Sequence, residues 1–246
     1  MIQSIHLSLI IPTYNEEKRI IDTLKKIDKY LSHQSYDYEI IVVNDGSKDN
    51  TAEIVKKIIP EIKNLELIDN IKNNGKGFVV RQGIKRAKGE YIIFTDADNS
   101  TDIKQIEKIF AEFEKGYKVI IGSRDIKGAV IAVPQPWWRI ALGNIFNLIV
   151  QIISGLYGIW DTQCGFKGFT KQVAQDIFSK CEINRFAFDV EVLAIAKKMK
   201  YKIKEIPIIW INSTESKVGF KSMVKMLFEV IKVRYNLITR KYDKKK

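Results

Sequence analysis

The stretch Glu90-Tyr-Ile-Ile-Phe-Thr-Asp-Ala-Asp-Asn-Ser100 joins a short apolar run to two carboxylates. Residues 91–95 are aromatic, aliphatic or β-branched, which is typical of a buried strand. Asp96 and Asp98 follow at once, and residues two apart in extended backbone lie on the same face. Carboxylates that converge on one point repel each other, and a hard divalent cation offsets that repulsion. The stretch therefore predicts a buried strand that ends at a metal site.

The first half of the chain alternates between strand-like apolar runs and segments with helical spacing. Four further strands are predicted at 6–11, 38–43, 65–68 and 117–121. Such alternation predicts one parallel sheet covered by helices on both faces. Ligands of these sheets bind at the carboxyl ends of the strands. The polar residues that fall at these ends are Asn15, Asp45, Asp96, Asp98 and Arg124.

The chain of 246 residues carries a formal net charge of +12, with 46% hydrophobic and 28% charged residues. This balance indicates a folded protein with an anionic partner, which is a nucleic acid, a phosphate-bearing ligand or an acidic membrane surface. Nucleic-acid binding predicts aromatic residues interleaved with basic ones. The basic tail alternates instead with aliphatic residues, and acidic residues gather at the strand ends. We therefore expect no nucleic-acid partner.

Residues 140–160 carry no formal charge. As a helix the segment is about 30 Å long, which is nominally enough to cross a bilayer. Asn144, Asn147 and Gln151 share one face, however, and glycines interrupt the run. A buried helix, a helix in the membrane surface and a span are the alternatives. Because a span separates the carboxylates from the polar loop after residue 160, we favour the membrane surface.

The segment 218–238 places apolar residues at helical spacing, with lysines on another face, and 240–246 is mostly basic. A basic amphipathic helix with a polybasic end is suited to an anionic membrane surface. The alternative is a core-packed helix with solvated lysines. The predicted organisation is one domain over 1–217, which includes an apolar interface helix at 138–160, and a basic membrane-surface helix and tail over 218–246.

Several motifs together carry a resemblance to a known family: Pro12-Thr-Tyr-Asn-Glu-Glu17, Asn44-Asp-Gly-Ser47, Gly75-Lys-Gly77, Asp96-Ala-Asp98, Gly122-Ser-Arg124 and Gln163-Cys-Gly-Phe-Lys167. They resemble family 2 glycosyltransferases of the GT-A fold, and most closely the polyprenyl-phosphate glycosyltransferases of the dolichyl-phosphate β-glucosyltransferase type. The resemblance implies a Rossmann-like α/β fold with a mainly parallel central sheet and C-terminal amphipathic interface helices.

The implied reaction transfers a hexose, with inversion, from a nucleotide-diphosphate sugar to a polyprenyl phosphate of the dolichyl type. UDP-glucose is the expected donor, while GDP-mannose, a UDP-N-acetylhexosamine and an undecaprenyl phosphate acceptor stay open as alternatives. The acceptor phosphate has a second pKa of about 6, so it is mostly ionised at neutral pH and needs cations more than a general base.

The resemblance also implies roles for single residues. The nucleotide sugar would be held by Pro12, Tyr14, Glu16, Val43, Asp45, Lys76, Asp96, Ala97, Asp98 and Lys217. Mg²⁺ or Mn²⁺ would be held by Asp96, Asp98 and Ser100. The acceptor phosphate would be held by Arg124, Arg139 and Gln163. Catalysis is expected to depend on Asp98, Asp161 and Arg124.

The expected location is the cytoplasmic face of a membrane, with peripheral or in-plane attachment. Eukaryotic members of the family carry an N-terminal membrane anchor, whereas here the first predicted strand begins almost at once. We therefore expect no N-terminal anchor, and attachment through the interface helices.

Overall fold

The computed structural model describes residues 5–133, 137–211 and 220–243, without the side chains of residues 138, 139, 220 and 221. The strands are β1 (Leu7–Thr13), β2 (Tyr38–Asn44), β3 (Leu65–Asp69), β4 (Tyr91–Phe94), β5 (Val119–Ser123), β6 (Val130–Ile131), β7 (Lys167–Thr170), β8 (Ile203–Pro207) and β9 (Ile209–Trp210). The helices are α1 (Ile20–Leu31), α2 (Thr51–Ile58), α3 (Lys76–Arg86), α4 (Ile106–Glu114), α5 (Trp137–Ser154), α6 (Lys171–Phe178), α7 (Phe188–Lys198) and α8 (Phe220–Ile238).

Among the described residues, seven strands form one sheet in the order β3-β2-β1-β4-β7-β5-β8. Strand β7 is antiparallel to its neighbours β4 and β5, and the other pairs are parallel. The predicted mainly parallel sheet is confirmed. Strands β6 and β9 form a second, two-stranded parallel sheet beside it.

Both faces of the main sheet are covered, which explains why its strands are almost continuously apolar. Leu9 and Ile11 of β1 pack with helices α1, α2 and α4 on one face. Ile10 points to the opposite face and packs with α3, α6, α7 and α8. Because successive residues of a strand point to opposite faces, one apolar run supplies both cores.

The strand register brings the predicted site residues to a single edge. Pro12 is paired with Val43, and Ile10 is paired with Phe94, the last residue of β4. Strands β4 and β5 run in the same direction, since both are antiparallel to β7. The residues that follow β1, β2, β4 and β5 therefore share the carboxyl edge of the sheet, as predicted.

Helix α5 is shorter than the predicted interface helix at 138–160, because it ends at Ser154. Gly155 and Gly158 have φ values of 72° and 84°, and a left-handed glycine directly after a helix ends it. The outer face exposes large apolar side chains, namely Trp137, Ile140, Leu142, Ile145, Leu148, Ile149 and Ile152. None of the helices in the described part of the chain combines the length and apolar character needed to cross a membrane.

Helix α8 is apolar on two faces. Met226, Val230 and Val233 are buried in the same core as α7. A second stripe is exposed and consists of Val224, Phe228, Ile231, Tyr235 and Ile238. The core-packed interpretation therefore holds for one face, and the other face is an apolar surface that no described residue covers. The predicted boundary at 217–218 lies outside the described residues, but α8 shares the core of the preceding domain.

The segment after α8 is attached to α7 by a buried hydrogen bond. The Tyr242 hydroxyl donates to Oε1 of Glu191 at 2.8 Å, and Nδ2 of Asn236 donates to the Tyr242 oxygen at 3.2 Å. Burial raises the pKa of Glu191, although the backbone N–H groups of Glu182 and Ile183 donate to its carboxylate and oppose that rise. Tyr242 therefore supplies part of the hydrogen bonding that keeps this buried carboxylate satisfied.

We predict that Tyr242→Phe lowers the free energy of unfolding by about 1–3 kcal/mol, because a buried acceptor on Glu191 loses its donor. Tyr235→Phe removes a hydroxyl from a tyrosine of the same helical region that is 62% exposed, and it should change stability by less than about 0.5 kcal/mol. Urea unfolding of both variants measures the difference. Equal effects would show that the Tyr242 hydroxyl contributes nothing specific.

Candidate active site

A cleft with about 400 Å³ of empty space opens at the carboxyl edge, just beyond the end of β4. Its lining residues are Thr95, Asp96, Asp98, Ser100, Thr101, Arg124, Gln163, Cys164, Gly165 and Trp210. Five of the residues predicted for the metal and the acceptor phosphate are thus brought to one cleft. Trp210 was not predicted, because its only signal is an aromatic side chain in the last apolar run.

The two carboxylates have different partners. Asp96 forms an ion pair with Lys76, with 2.5 Å between Oδ1 and Nζ. Oδ1 of Asp98 accepts a hydrogen bond from the Ser100 N–H at 3.0 Å, which closes a short turn. Lys76, predicted to contact the nucleotide, here compensates the charge of Asp96. Its pKa is raised because Asp96 and Asp189 outweigh the effect of burial, so it stays cationic.

Gly165 lets the loop that follows α5 lie directly against the carboxylate of Asp96. A Cβ atom at this position would overlap the carboxylate of Asp96. The loop that follows α5 therefore approaches the carboxylate pair more closely than a residue with a side chain permits. The glycine of the motif at 163–167 has a steric role here.

The oxygen donors at this point suit a hard divalent cation. The Ser100 hydroxyl is buried and has no hydrogen-bond partner among the described residues, and it lies in the same cleft as Asp96 and Asp98. No group of three or more His, Cys, Asp or Glu side chains forms a metal cluster in the described part of the chain. Mg²⁺ is commonly bound by one or two carboxylates, with phosphate and water completing the shell, so the residues present fit a cation that arrives with a diphosphate.

A buried ion pair between Lys167 and Asp189, which the sequence did not predict, lies next to the site. Lys167 is fully buried, and its Nζ donates to Oδ1 of Asp189 at 2.5 Å and to the Cys164 carbonyl at 2.5 Å. Asp189 lies in the first turn of α7. Burial raises its pKa, while Lys167 and Lys76 act in the opposite direction. The two lysines and two aspartates thus form one charge network across β7, α3 and α7.

Arg124 is held by Asp161. Its Nε and Nη2 donate to the carboxylate at 2.7 and 2.9 Å, and its backbone N–H donates at 3.0 Å. Burial disfavours a charged Asp161, but Arg124 and these bonds lower the pKa of Asp161 below its usual range. Asp161 is buried and does not line the cleft. This geometry lets Asp161 hold the guanidinium of Arg124 in place, and the expected role of Asp161 in catalysis stays a prediction.

The predicted nucleotide side lies around the ends of β1 and β2. The Asp45 carboxylate is buried and accepts hydrogen bonds from the N–H groups of Asn74 and Gly75 at 2.7 and 2.9 Å. Burial raises the pKa of Asp45, which those donors oppose. The side chains of Val43 and Ala97 are buried in the two cores, so only their backbone is available to a ligand.

The remaining predicted nucleotide contacts lie at the same edge. Pro12 is buried at the end of β1. Tyr14 and Glu16 follow it and are half-buried, and Glu16 forms an ion pair with Arg19 at 2.6 Å. Lys217 and the side chain of Arg139 lie outside the described part of the structure, so their predicted roles stay predictions.

Solved structures with this fold are GT-A glycosyltransferases. Glucosyl-3-phosphoglycerate synthase from Mycobacterium tuberculosis, solved with Mn²⁺ and UDP, matches with a TM-score of 0.69 and 16% identity over 96% of this chain and 79% of that chain. Mannosyl-3-phosphoglycerate synthase from Rubrobacter xylanophilus matches with a TM-score of 0.73 and 12% identity, over 98% and 76%. The described architecture therefore belongs to the GT-A class.

Sequence comparison identifies the family within that class. Residues 8–178 match the family described as Glycosyl transferase family 2. Dolichyl-phosphate beta-glucosyltransferase of Dictyostelium discoideum is 35% identical over 250 residues, covering 96% of this chain and 76% of that protein. The protein of the same name from Homo sapiens is 35% identical over 251 residues, covering 95% and 76%. This chain belongs to glycosyltransferase family 2, as the motifs predicted.

We predict that Lys167→Met and Asp189→Leu each destabilise the protein by about 3–5 kcal/mol, because each leaves one buried charge unpaired. The double variant should recover most of that loss, since it removes both charges from the core. Chemical unfolding of the four proteins gives the coupling energy. Additive losses in the double variant would show that the two side chains act independently.

Proposed function

We propose that the protein transfers glucose, with inversion, from UDP-glucose to a dolichyl-type polyprenyl phosphate. The single observation that carries the proposal is the pair of carboxylates in the cleft beyond β4, together with a Ser100 hydroxyl that has no hydrogen-bond partner among the described residues. Similarity to dolichyl-phosphate beta-glucosyltransferases over most of the chain supports the choice of sugar and acceptor. Glucosyl-3-phosphoglycerate synthase from Mycobacterium tuberculosis, which shares the fold, has also been solved with UDP-glucose, and this supports the choice of donor.

A divalent cation, Mg²⁺ or Mn²⁺, would be held by Asp98 with Asp96 and Ser100, and would supply positive charge to the diphosphate leaving group. One oxygen of Asp96 is paired with Lys76, so its other oxygen would be available to the cation. Lys76 then remains beside the diphosphate as a second positive charge. The glycines on either side of Lys76 let this turn pack closely against the segment 183–188, since a Cβ atom at Gly75 or Gly77 would overlap Asn184 or Phe188.

The acceptor phosphate needs orientation rather than deprotonation, because it is already ionised at neutral pH. Asp161 occupies Nε and Nη2 of Arg124, and no described residue accepts from Nη1. Arg124 thereby offers a fixed donor in the cleft, although Asp161 balances much of its charge. Effective positioning of this kind accounts for a large share of the rate in bimolecular transfers.

We predict that Asp98→Ala lowers the transfer rate at least about 100-fold and that chelation by EDTA abolishes transfer, since the leaving group loses its main electrostatic stabiliser. The measurement is transfer of radiolabelled hexose to a short polyprenyl phosphate, with UDP-glucose, UDP-N-acetylglucosamine and GDP-mannose in parallel. Asp102→Ala is the control, because this exposed carboxylate belongs to the same loop but does not line the cleft. Full activity of Asp98→Ala without metal would contradict the proposal.

We also propose that the protein docks peripherally on an anionic membrane surface through the outer faces of α5 and α8. These helices pack side by side, and both present exposed apolar side chains. Exposed lysines at 225, 232 and 241 border the α8 stripe. Cys164 and Cys181 are buried and form no disulfide among the described residues, which supports placement on the cytoplasmic, reducing side.

We predict that the double variant Phe228→Ser with Ile231→Ser binds vesicles of phosphatidylserine and phosphatidylcholine at least about tenfold more weakly, because large apolar groups no longer insert. Co-sedimentation at two salt concentrations measures this. Ile71→Ser is the matched control, since Ile71 is 95% exposed but lies on a loop far from both helices in sequence. An equal loss in the control would rule out a specific docking face.

A further inference from the structure

We propose that Gln163 is a specificity-determining residue for the transferred hexose, and that its Nε2 donates a hydrogen bond to a sugar hydroxyl. This inference rests on the proposed function, since it concerns the donor sugar of that reaction. The sequence had suggested that Gln163 contacts the acceptor phosphate. We assign it instead to the sugar of the donor.

The side-chain amide of Gln163 has an unmet donor. Its Nε2 is buried and has no hydrogen-bond partner among the described residues, and the residue lines the cleft beside the carboxylate pair. A buried amide donor without a partner is costly to the folded protein. A bound ligand with an acceptor oxygen at this point removes that cost.

The chain holds Gln163 rigidly from both sides. The preceding Thr162 is fully buried, and its hydroxyl donates to Oδ1 of Asn147 at 3.2 Å. The following Cys164 is buried, and its carbonyl accepts a hydrogen bond from Lys167. Because both neighbours are anchored, ligand binding orders little new structure around the amide.

The charges of the cleft favour a hydroxyl over a phosphate at this amide. Asp96 and Asp98 line the cleft, and the guanidinium of Arg124 is already compensated by Asp161. Cys164 adds no charge, since burial raises the pKa of its thiol to about 12. Lys76 is paired with Asp96. A neutral, hydroxyl-rich group can lie at this amide without adding negative charge beside the two carboxylates, whereas a further phosphate would add it.

Trp210 supplies an aromatic side to the same cleft. The backbone of this segment is fixed, because the Ile211 N–H donates to the Ser100 carbonyl at 2.8 Å and the Ala132 N–H donates to the Trp210 carbonyl at 2.9 Å. The Arg124 guanidinium lies 5.2 Å from the ring centre of Trp210. An aromatic side chain with a few fixed polar groups is the usual composition of a small-molecule pocket.

Calorimetry with UDP and with UDP-glucose, both in the presence of Mn²⁺, separates the sugar contribution from the nucleotide contribution. Gln163→Ala should bind UDP within about twofold of the wild type and UDP-glucose about tenfold more weakly. Gln163→Glu keeps the size but lacks the donor, so it should show at least the same loss. Gln172→Ala, an exposed glutamine on α6, is the control and should leave both affinities unchanged.

Deoxy analogues of UDP-glucose identify the hydroxyl concerned. The analogue that lacks it should bind the wild type more weakly but lose nothing further in Gln163→Ala. Equal losses for UDP and UDP-glucose, or no loss for either, would overturn the inference. An unchanged donor affinity with a raised KM for the polyprenyl phosphate would return Gln163 to the acceptor. A wild type that binds UDP but gains nothing from any attached hexose would refute the proposed function itself.

Discussion

Two carboxylates at the end of a buried strand are the constraint around which this site is built. Asp96 and Asp98 stand one residue apart at the carboxyl edge, where their mutual repulsion must be compensated. The protein supplies part of that compensation itself, because Lys76 pairs with Asp96. Behind Lys76 lies the buried Lys167–Asp189 pair, which fixes β7 to α7. The remaining compensation is left to a ligand, which is the condition a cation-dependent transferase requires.

The sequence predicted the sheet and its ligand edge well, since both follow from local patterns. The apolar run at 91–95 and the two aspartates after it specify a strand and its polar end within a few residues. The end of α5 was missed by several residues, because the apolar run continues to Trp160 while Gly155 stops the helix. An apolar run indicates that a segment is buried or in contact with lipid, but it does not show where the helix ends. Here the left-handed backbone conformation of Gly155 sets the end of α5.

The charge network could not be predicted from spacing. Lys167 and Asp189 are 22 residues apart, and they meet only because β7 inserts antiparallel between β4 and β5. Arg124 and Asp161 are separated by 37 residues, so their contact likewise depends on the tertiary fold and not on the local sequence. Asp189 lies in the first turn of a helix, and Asp161 was expected to take part in catalysis, but the local sequence around each gives no sign of its basic partner. The tertiary fold pairs each of these two aspartates with a basic side chain, and the local sequence does not reveal either pairing.

Helix α8, which we propose to face the membrane, is joined to the charge network by a short path. Oε2 of Glu229 in α8 accepts a hydrogen bond from the Ala187 N–H at 3.1 Å, two residues before Asp189. The opposite face of α8 carries the exposed apolar stripe that includes Phe228 and Ile231. One helix therefore presents its outer face to solvent and ties its inner face to the first turn of α7, where Asp189 meets Lys167. Because these contacts are direct and buried cores are closely packed, the exposed apolar stripe of α8 and the cleft beyond β4 hold a fixed relation to each other. A lipid phosphate that stays in its membrane needs such a relation, since only its head group travels to the sugar.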